Sequence, residues 1–88
     1  MEKLPFSEEH KNGWYYRTFN GSLTEEDLKW HYDEEDRIIE VVGKTDWKFQ
    51  FDNKLPESID KQLFVQKGEY HRLIKGSGPL TVKIKKLK

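Results

Sequence analysis

The sequence lacks cysteine altogether, and it has no long apolar run. Without cysteine, a disulfide framework, a thiolate zinc site and a cysteine nucleophile are all excluded. A transmembrane helix needs about 20 consecutive apolar residues, and no segment approaches that length. Residues 1–20 also lack the basic start and apolar core of a signal peptide. We therefore expect a cytoplasmic protein, in the host cytoplasm if its source is viral, that does not enter a membrane.

Hydrophobic residues are scarce as well, at 34% of the chain, while charged residues make up 36%. Aromatic residues nevertheless reach 14%, and each large ring buries roughly 150–250 Å². A few tryptophan and phenylalanine side chains can therefore fill a core, which argues against disorder. The 88 residues suffice for one domain and not for two. We predict a single domain over residues 1–88, with an irregular N-terminal segment over residues 1–11.

Neither sign of charge is in excess, since 16 basic residues balance 16 acidic ones. Their distribution is uneven: residues 1–44 carry 6 Lys/Arg and 11 Asp/Glu, whereas residues 45–88 carry 10 and 5. The two halves should attract each other within one fold, and the same asymmetry is compatible with a self-complementary homodimer. A nucleic-acid binder would carry net positive charge on one face, so nucleic acid is not an expected partner. The lysines of 83-KIKKLK-88 are better explained as edge-strand residues that block aggregation.

The dominant hydrophobic period is two, which predicts strands. Seven segments show it or are short apolar runs: residues 12–20, 28–33, 37–43, 46–52, 63–66, 69–75 and 79–88. Turn signals rich in glycine and asparagine separate them. Helical signals are weak and predict at most one turn at residues 22–28 and another at residues 56–62. About seven short strands with regular turns indicate an all-β, antiparallel sandwich or small barrel.

The stretch 28-LKWHYDEEDR-37 carries the main chemical signal. His31 and Asp33 would point to the same face of a strand, because side chains alternate. A second strand carrying His71 could bring another imidazole beside them. Two histidines and one carboxylate form the facial arrangement of non-heme Fe(II) oxygenases. The alternative is a hydrogen-bonded strand histidine followed by a solvated acidic turn, 33-DEED-36, whose acids accept backbone hydrogen bonds or pair with arginine.

Two motifs resemble those of the cupins. The segment 66-QKGEYH-71 resembles the second cupin motif, proline-x-glycine-x-x-histidine, with Gly68 and His71 matching and a glutamine in the proline position. The first cupin motif reads histidine-x-histidine, a short gap, glutamate, six residues and glycine. Here His31-x-Asp33, then Asp36, six residues and a glycine resemble it, with aspartates replacing the second histidine and the glutamate. The resemblance covers residues 28–84, and the chain looks like a small single-domain cupin of the uncharacterised phage or bacterial type.

This resemblance implies a fold and a site. Cupins are small antiparallel β-barrels or jelly rolls, often dimeric, and many bind a divalent metal such as Fe, Mn, Ni or Zn inside the barrel. Carried over to this chain, the ligand positions are His31, Asp33, Asp36 and His71. His71 is expected to face the interior, either as a ligand or as a structural histidine tied to a backbone carbonyl.

Aromatic residues on the strands are expected to form the core. In a small barrel the core and a ligand pocket share a wall, so some of these rings could contact a small molecule. The candidate pocket residues are Trp30, Trp47, Phe49 and Phe51. Three functions stay open: a metal-binding cupin that could act as an enzyme on a small molecule, a metal-free barrel that binds a small ligand, and a protein-interaction or regulatory module. The sequence names neither a substrate nor a catalytic residue.

Overall fold

The computed structural model describes residues 5–87, which form eight antiparallel strands and one 3-10 turn, Glu25–Asp27. The strands are β1 (Phe6–Lys11), β2 (Trp14–Phe19), β3 (Asp36–Val41), β4 (Lys48–Phe51), β5 (Glu57–Ser58), β6 (Leu63–Val65), β7 (His71–Ile74) and β8 (Leu80–Leu87). They pair into a five-stranded sheet, β1-β2-β8-β3-β6, and a three-stranded sheet, β5-β4-β7. Within the described residues, no helix is long and apolar enough to cross a membrane.

The core lies between the two sheets, because alternate side chains of each strand point inwards. The five-stranded sheet contributes Phe19, Ile39, Leu63, Val65, Leu80, Val82 and Ile84, the three-stranded sheet contributes Phe49 and Phe51, and the connections contribute Leu28, Trp47 and Ile59. The strand registers bring these side chains side by side, as in the pairs Phe19 with Leu80 and Ile39 with Ile84. The predicted all-β, antiparallel fold is confirmed as a jelly-roll-like sandwich. The sheets keep separate hydrogen bonding, so it is not a closed barrel.

The first two strands form a tight hairpin. Asn12 and Gly13 connect them with φ angles of 52° and 85°, as a two-residue type I′ turn requires. The prediction of an irregular segment over residues 1–11 is therefore wrong for Phe6–Lys11, while residues 1–4 lie outside the described part. β1 was missed because five of its six residues are exposed, so this edge strand depends on backbone pairing with β2 and lacks an alternating apolar pattern.

Three connecting segments allow the predicted secondary structure to be compared with the observed one. The expected turn within residues 22–28 is present, and Asp27 caps it by accepting hydrogen bonds from the Thr24 N–H at 2.9 Å and hydroxyl at 3.1 Å. Residues 56–62, expected to form a helical turn, instead contain the short strand β5. Residues 28–33, expected to form a full strand, make a single β-bridge, between His31 and His71.

The turn between β7 and β8 is fastened to the segment before β4. The Asp46 carboxylate accepts hydrogen bonds from the Ser77 N–H at 2.9 Å and hydroxyl at 2.8 Å, and these bonds hold the pKa of Asp46 below its usual value. The Trp47 indole donates to the Gly78 carbonyl at 3.0 Å. Gly76 passes so close to Asp46 that a Cβ there would overlap its carboxylate. These contacts fix β7, and with it His71, relative to the core.

Candidate metal centre

Three side chains, His31, Asp33 and His71, converge at one edge of the three-stranded sheet. Each offers one ligand-type atom, and these atoms all lie within 4.8 Å of one another. His71 and Asp33 are buried, whereas His31 is exposed on one side. The two histidines are held together by reciprocal backbone hydrogen bonds, from the His31 N–H to the His71 carbonyl at 3.0 Å and back at 2.9 Å. Two of the four predicted ligands, His31 and His71, are thus brought together by a single bridge.

Both imidazoles are tethered in the same way. Nδ1 of His31 lies 3.0 Å from the Lys29 carbonyl, and Nδ1 of His71 lies 2.8 Å from the Glu69 carbonyl. A carbonyl oxygen only accepts, so each Nδ1 carries a hydrogen, and Nε2 is the ring nitrogen through which either histidine could bind a metal. Metal-binding histidines usually donate their second nitrogen in this manner, which fixes the tautomer and the ring orientation.

The Asp33 carboxylate is divided between two neighbours. Its Oδ2 lies 3.3 Å from His71 Nε2, and its Oδ1 lies 3.3 Å from Arg37 Nη1. Arg37 is itself held by Glu35, whose carboxylate accepts from Nε at 2.8 Å. Burial alone would raise the pKa of Asp33, but the His71 hydrogen bond and the Arg37 charge outweigh it and hold that pKa below its usual value. One oxygen is therefore oriented by Arg37 while the other faces the histidines.

The pKa of His31 also lies below its usual value. Partial burial of the ring disfavours the imidazolium, and the nearby His71 and Arg37 act in the same direction, against the opposing hydrogen bond to Lys29. At neutral pH His31 is therefore a neutral imidazole and Asp33 is a carboxylate. These are the protonation states in which the two side chains bind metal.

The donor set fits a first-row divalent ion. Two ligands that each lie about 2.0–2.2 Å from one ion are roughly 2.8–3.1 Å apart at an octahedral angle and roughly 3.3–3.6 Å apart at a tetrahedral angle. The 3.3 Å between His71 Nε2 and Asp33 Oδ2 falls in the second range. At this distance, either a metal ion or a hydrogen on His71 Nε2 joins the two atoms. Three protein ligands leave further positions for water or a small molecule.

A cavity of about 330 Å³ lies between the sheets, and all three residues line it. Most of its wall is apolar and comes from both sheets. Arg17 and Arg37 also line it, from the inner face of the five-stranded sheet. The candidate metal centre therefore faces a partly open cavity large enough for a small molecule.

Asp36, the fourth ligand position suggested by the cupin resemblance, does not join this group. Its Oδ1 accepts the Lys67 N–H at 2.7 Å, a contact that ties β3 to the turn before His71. Arg37, the next residue, lines the cavity, and side chains one residue apart in a strand face opposite ways. Asp36 is therefore directed away from the three converging side chains.

Only one of the four candidate pocket aromatics lines the cavity. Phe49 does so, and its ring stacks on that of His71 with centroids 5.2 Å apart. Trp47 and Phe51 are buried in the core instead. Trp30 lies at the surface, 41% exposed, with the Arg72 guanidinium over its ring at 4.8 Å.

Two features of the site were not anticipated. Arg17 lies on β2 between Tyr15 and Phe19, at a position whose side chain points inwards. A charged residue at such a position of an aromatic strand was the sequence signal for its role in the site. The outer face of the histidine bridge carries two cross-strand pairs, Trp30 with Arg72 and Tyr32 with Tyr70, whose rings are 5.2 Å apart. These pairs lie directly behind the two imidazoles.

No family model and no curated protein matches this sequence. Solved structures do match. Protein NMB1881 from Neisseria meningitidis is similar over 100% of this chain and 88% of its own, with a TM-score of 0.62 and 18% identity. A cupin-2 domain-containing protein from Shewanella frigidimarina is similar over 92% and 80%, with a TM-score of 0.55 and 16% identity. Fe(II) HppE in complex with substrate is similar over 96% of this chain and 53% of its own, with a TM-score of 0.64 and 11% identity.

These similarities establish the fold. The chain adopts a small cupin-like fold, as the two sequence motifs predicted. It spans about half the length of the Fe(II) HppE chain. At identities of 11–18%, the similarity concerns the arrangement of strands and carries no substrate or activity over to this protein.

Proposed function

We propose that this cupin-like protein binds one first-row divalent metal ion through His31, Asp33 and His71, at the wall of its inner cavity. The observation that supports this most directly is the convergence of the three side chains with both Nδ1 atoms already engaged by backbone carbonyls. The tethering hydrogen bonds would hold both rings in place before any metal arrives.

Two histidines and one carboxylate suit Fe(II) best among the candidate metals, while Mn, Ni and Zn are also compatible with nitrogen and oxygen ligands. Such an ion supplies Lewis acidity, and in the case of iron also redox chemistry, to a molecule in the cavity. The presence of Fe(II) in the structurally similar HppE is in keeping with this choice. In this chain, Arg37 would keep Asp33 ionised and turned towards the histidines.

The test is the metal content of the tag-free protein, measured by plasma mass spectrometry after reconstitution with Fe(II), Mn(II), Ni(II) or Zn(II) in turn. We expect about one equivalent of bound metal in the parent and almost none in His71→Ala. His10→Ala is the matched control, because His10 lies on β1 and stacks on Tyr15 with centroids 4.3 Å apart, away from the site. It should retain one equivalent, as should Asp36→Asn.

Two results would contradict the proposal: no stoichiometric metal in the parent with any of the four ions, or equal metal in the parent and in His71→Ala. In either case the second candidate, a metal-free protein that binds a small molecule in the 330 Å³ cavity, becomes the better one. The homodimer and the cytoplasmic location stay predictions from the sequence. Sedimentation velocity and cell fractionation test them.

A further inference from the structure

Two arginines occupy inward positions of the five-stranded sheet, where apolar side chains are the rule. Arg17 lies between Tyr15 and Phe19 on β2, and Arg37 precedes buried Ile39 by two residues on β3. Their side chains are only 16% and 12% exposed, and both line the cavity. Removing a guanidinium from water costs free energy unless its N–H groups find partners. Each arginine is therefore expected to have hydrogen-bond acceptors for its N–H groups.

Arg37 has two carboxylate partners, Asp33 at Nη1 and Glu35 at Nε, and through Asp33 it belongs to the candidate metal centre. Arg17 is bound differently. Its Nε donates to Glu8, and its guanidinium lies on the Phe6 ring at 4.3 Å. Within residues 5–87 its two Nη groups have no hydrogen-bond partner, and no side-chain nitrogen in these residues is both fully buried and unbonded. The Nη groups therefore have contact with solvent, and the Arg17 side chain lines the cavity.

The charged part of the cavity wall carries an excess of positive charge. It consists of Arg17, Lys29, Arg37, Asp27 and Asp33. Glu8 and Glu35 pair with the two arginines from outside this wall and balance part of its positive charge, so the anion-binding group that stays available is the Nη edge of Arg17. Asp27 is already engaged by Thr24. A divalent ion at the metal centre would add to the excess, so the cavity favours a negatively charged occupant.

The size and polarity of the cavity limit that occupant further. Its 330 Å³ lie at the lower end of the range for ligand sites. At about 30 Å³ per water molecule, this volume corresponds to roughly eleven waters, or to a ligand on the order of ten non-hydrogen atoms. Apolar side chains from both sheets, such as Phe49, Leu73 and Val82, form most of the wall. A ligand that fits has one anionic group and an apolar body.

We propose that the cavity binds a small carboxylic acid with an apolar body, whose carboxylate accepts hydrogen bonds from the Nη groups of Arg17. A planar carboxylate matches the edge of a guanidinium in a bidentate geometry. The Phe6 ring keeps the guanidinium in place, and Glu8 holds its Nε. The proposal builds on the proposed metal function, because the same cavity is lined by the metal centre and by Arg17.

The test is isothermal titration calorimetry of the full-length, Zn(II)-reconstituted protein with benzoate and hexanoate, and with the neutral benzamide and hexanamide. We expect at least one carboxylate to bind with a dissociation constant below about 1 mM, and its amide to bind at least about tenfold more weakly. Arg17→Gln should weaken carboxylate binding by about tenfold or more. Lys61→Gln is the control, since Lys61 is exposed and does not line the cavity, and it should leave binding unchanged.

Glu8→Gln provides a second variant that does not depend on the folding of Arg17→Gln. It removes the carboxylate that competes for the guanidinium, so benzoate should bind several-fold more tightly. The proposal is overturned if neither carboxylate binds the parent, if the amides bind equally well, or if Glu8→Gln and Arg17→Gln both bind as the parent does. Metal content is measured in every sample. Metal without carboxylate binding refutes this proposal alone, and carboxylate binding without metal refutes the metal function alone.

Discussion

Replacing Asp33 by asparagine tests the centre of the site with almost no change in shape. In the parent, the two carboxylate oxygens each lie 3.3 Å from a partner, Arg37 on one side and His71 on the other. Hydrogen bonds to charged groups contribute about 1.5–3 kcal/mol each. An asparagine retains part of this, because its carbonyl can accept from Arg37 and its amide N–H can donate to the free nitrogen of His71. Arg37 also keeps Glu35.

We therefore expect Asp33→Asn to lower the free energy of unfolding by about 1–3 kcal/mol, less than the 3–5 kcal/mol lost when a buried charge is left with no partner. For a chain of this length, that corresponds to a fall in Tm of roughly 5–20 °C. Metal affinity should fall far more, by at least about a hundredfold, since a neutral amide replaces the anionic ligand. Thermal unfolding followed by circular dichroism with chelator present gives the first quantity, and Zn(II) competition titration gives the second.

The pH dependence of this difference gives an independent check. Because the pKa of Asp33 is lower in the folded protein than in the unfolded chain, its charge contributes stability above the unfolded value near 3.8. This contribution disappears as the pH falls through the lower folded-state pKa, so parent and variant should converge in acid. Glu34→Gln is the matched control, because Glu34 is the exposed neighbour of Asp33 and its loss should change stability by less than about 0.5 kcal/mol. Equal stability and equal metal affinity in the two variants at neutral pH would refute the reasoning.

Three further results are expected. Because the pKa of His31 is lowered, protons compete with a metal for this ring less than for a free imidazole. Zn(II) affinity should therefore stay constant from pH 8 to about 6.5 and fall at lower pH. A loss of affinity already above pH 7 would contradict this. Tyr70→Ala should weaken Zn(II) binding by about 2–12-fold, the equivalent of one aromatic pair with Tyr32, and an unchanged affinity in the competition titration would count against it. Gly76→Ala should lower Tm by several degrees, because its Cβ meets Asp46, and differential scanning calorimetry would expose an unaffected Tm.

The strands that alternate cleanly are the ones that the sequence predicted well. The segment 46–52 alternates because one face of β4 is buried and the other is solvated, and the structure buries Phe49 and Phe51 accordingly. β1 does not alternate, because almost all of it is exposed. Its position was nevertheless encoded by Asn12-Gly13, the dipeptide most typical of a type I′ hairpin. At this position the turn residues indicate the hairpin, whereas the hydrophobic pattern does not.

The candidate site was predicted in part, for a similar reason. His31, Asp33 and His71 were identified by their chemical types and by the cupin resemblance, and the structure brings them together. Asp36 was placed with them by motif spacing, but it adjoins Arg37, which lines the cavity, and strand alternation directs the two to opposite sides. A linear motif does not record the bend between Asp33 and β3, and only the three-dimensional path of the chain separates the two acids.

Trp47 and Phe51 show the corresponding limit for the pocket. Large aromatic side chains on alternating strands are needed both to fill a core and to line a cavity, and the sequence pattern is the same for the two roles. The structure separates them by position: Phe49 stacks on His71, whereas Trp47 donates its indole N–H to Gly78 at the opposite turn. Arg17 was overlooked because charge on a strand is usually taken as a mark of a solvated face.

The opening and closing of the bridge between His31 and His71 should affect both the local stability and the metal binding of this region. Both imidazoles and both amide hydrogen bonds, 3.0 and 2.9 Å long, belong to the same pair of residues. Any opening that separates the backbones also separates the ligands, so a metal that binds only the closed form slows exchange of both amides by the factor 1 + [M]/Kd. At a Zn(II) concentration of 100 times Kd, this factor is about a hundred.

Hydrogen exchange measured by NMR tests this coupling residue by residue. The amides of His31 and His71 should gain protection when Zn(II) is added, while that of Val42, which donates to Thr81 at 2.9 Å in the other sheet, should gain much less. If all three amides gained protection equally, the metal would be acting on global unfolding. If the two histidine amides gained no protection, bridge opening would not be coupled to metal binding. The outer face should stabilise the closed bridge as well, because Tyr32 packs on Tyr70 directly behind it. In Tyr70→Ala, the two histidine amides should exchange faster without metal, by about 2–12-fold, the equivalent of the lost aromatic pair.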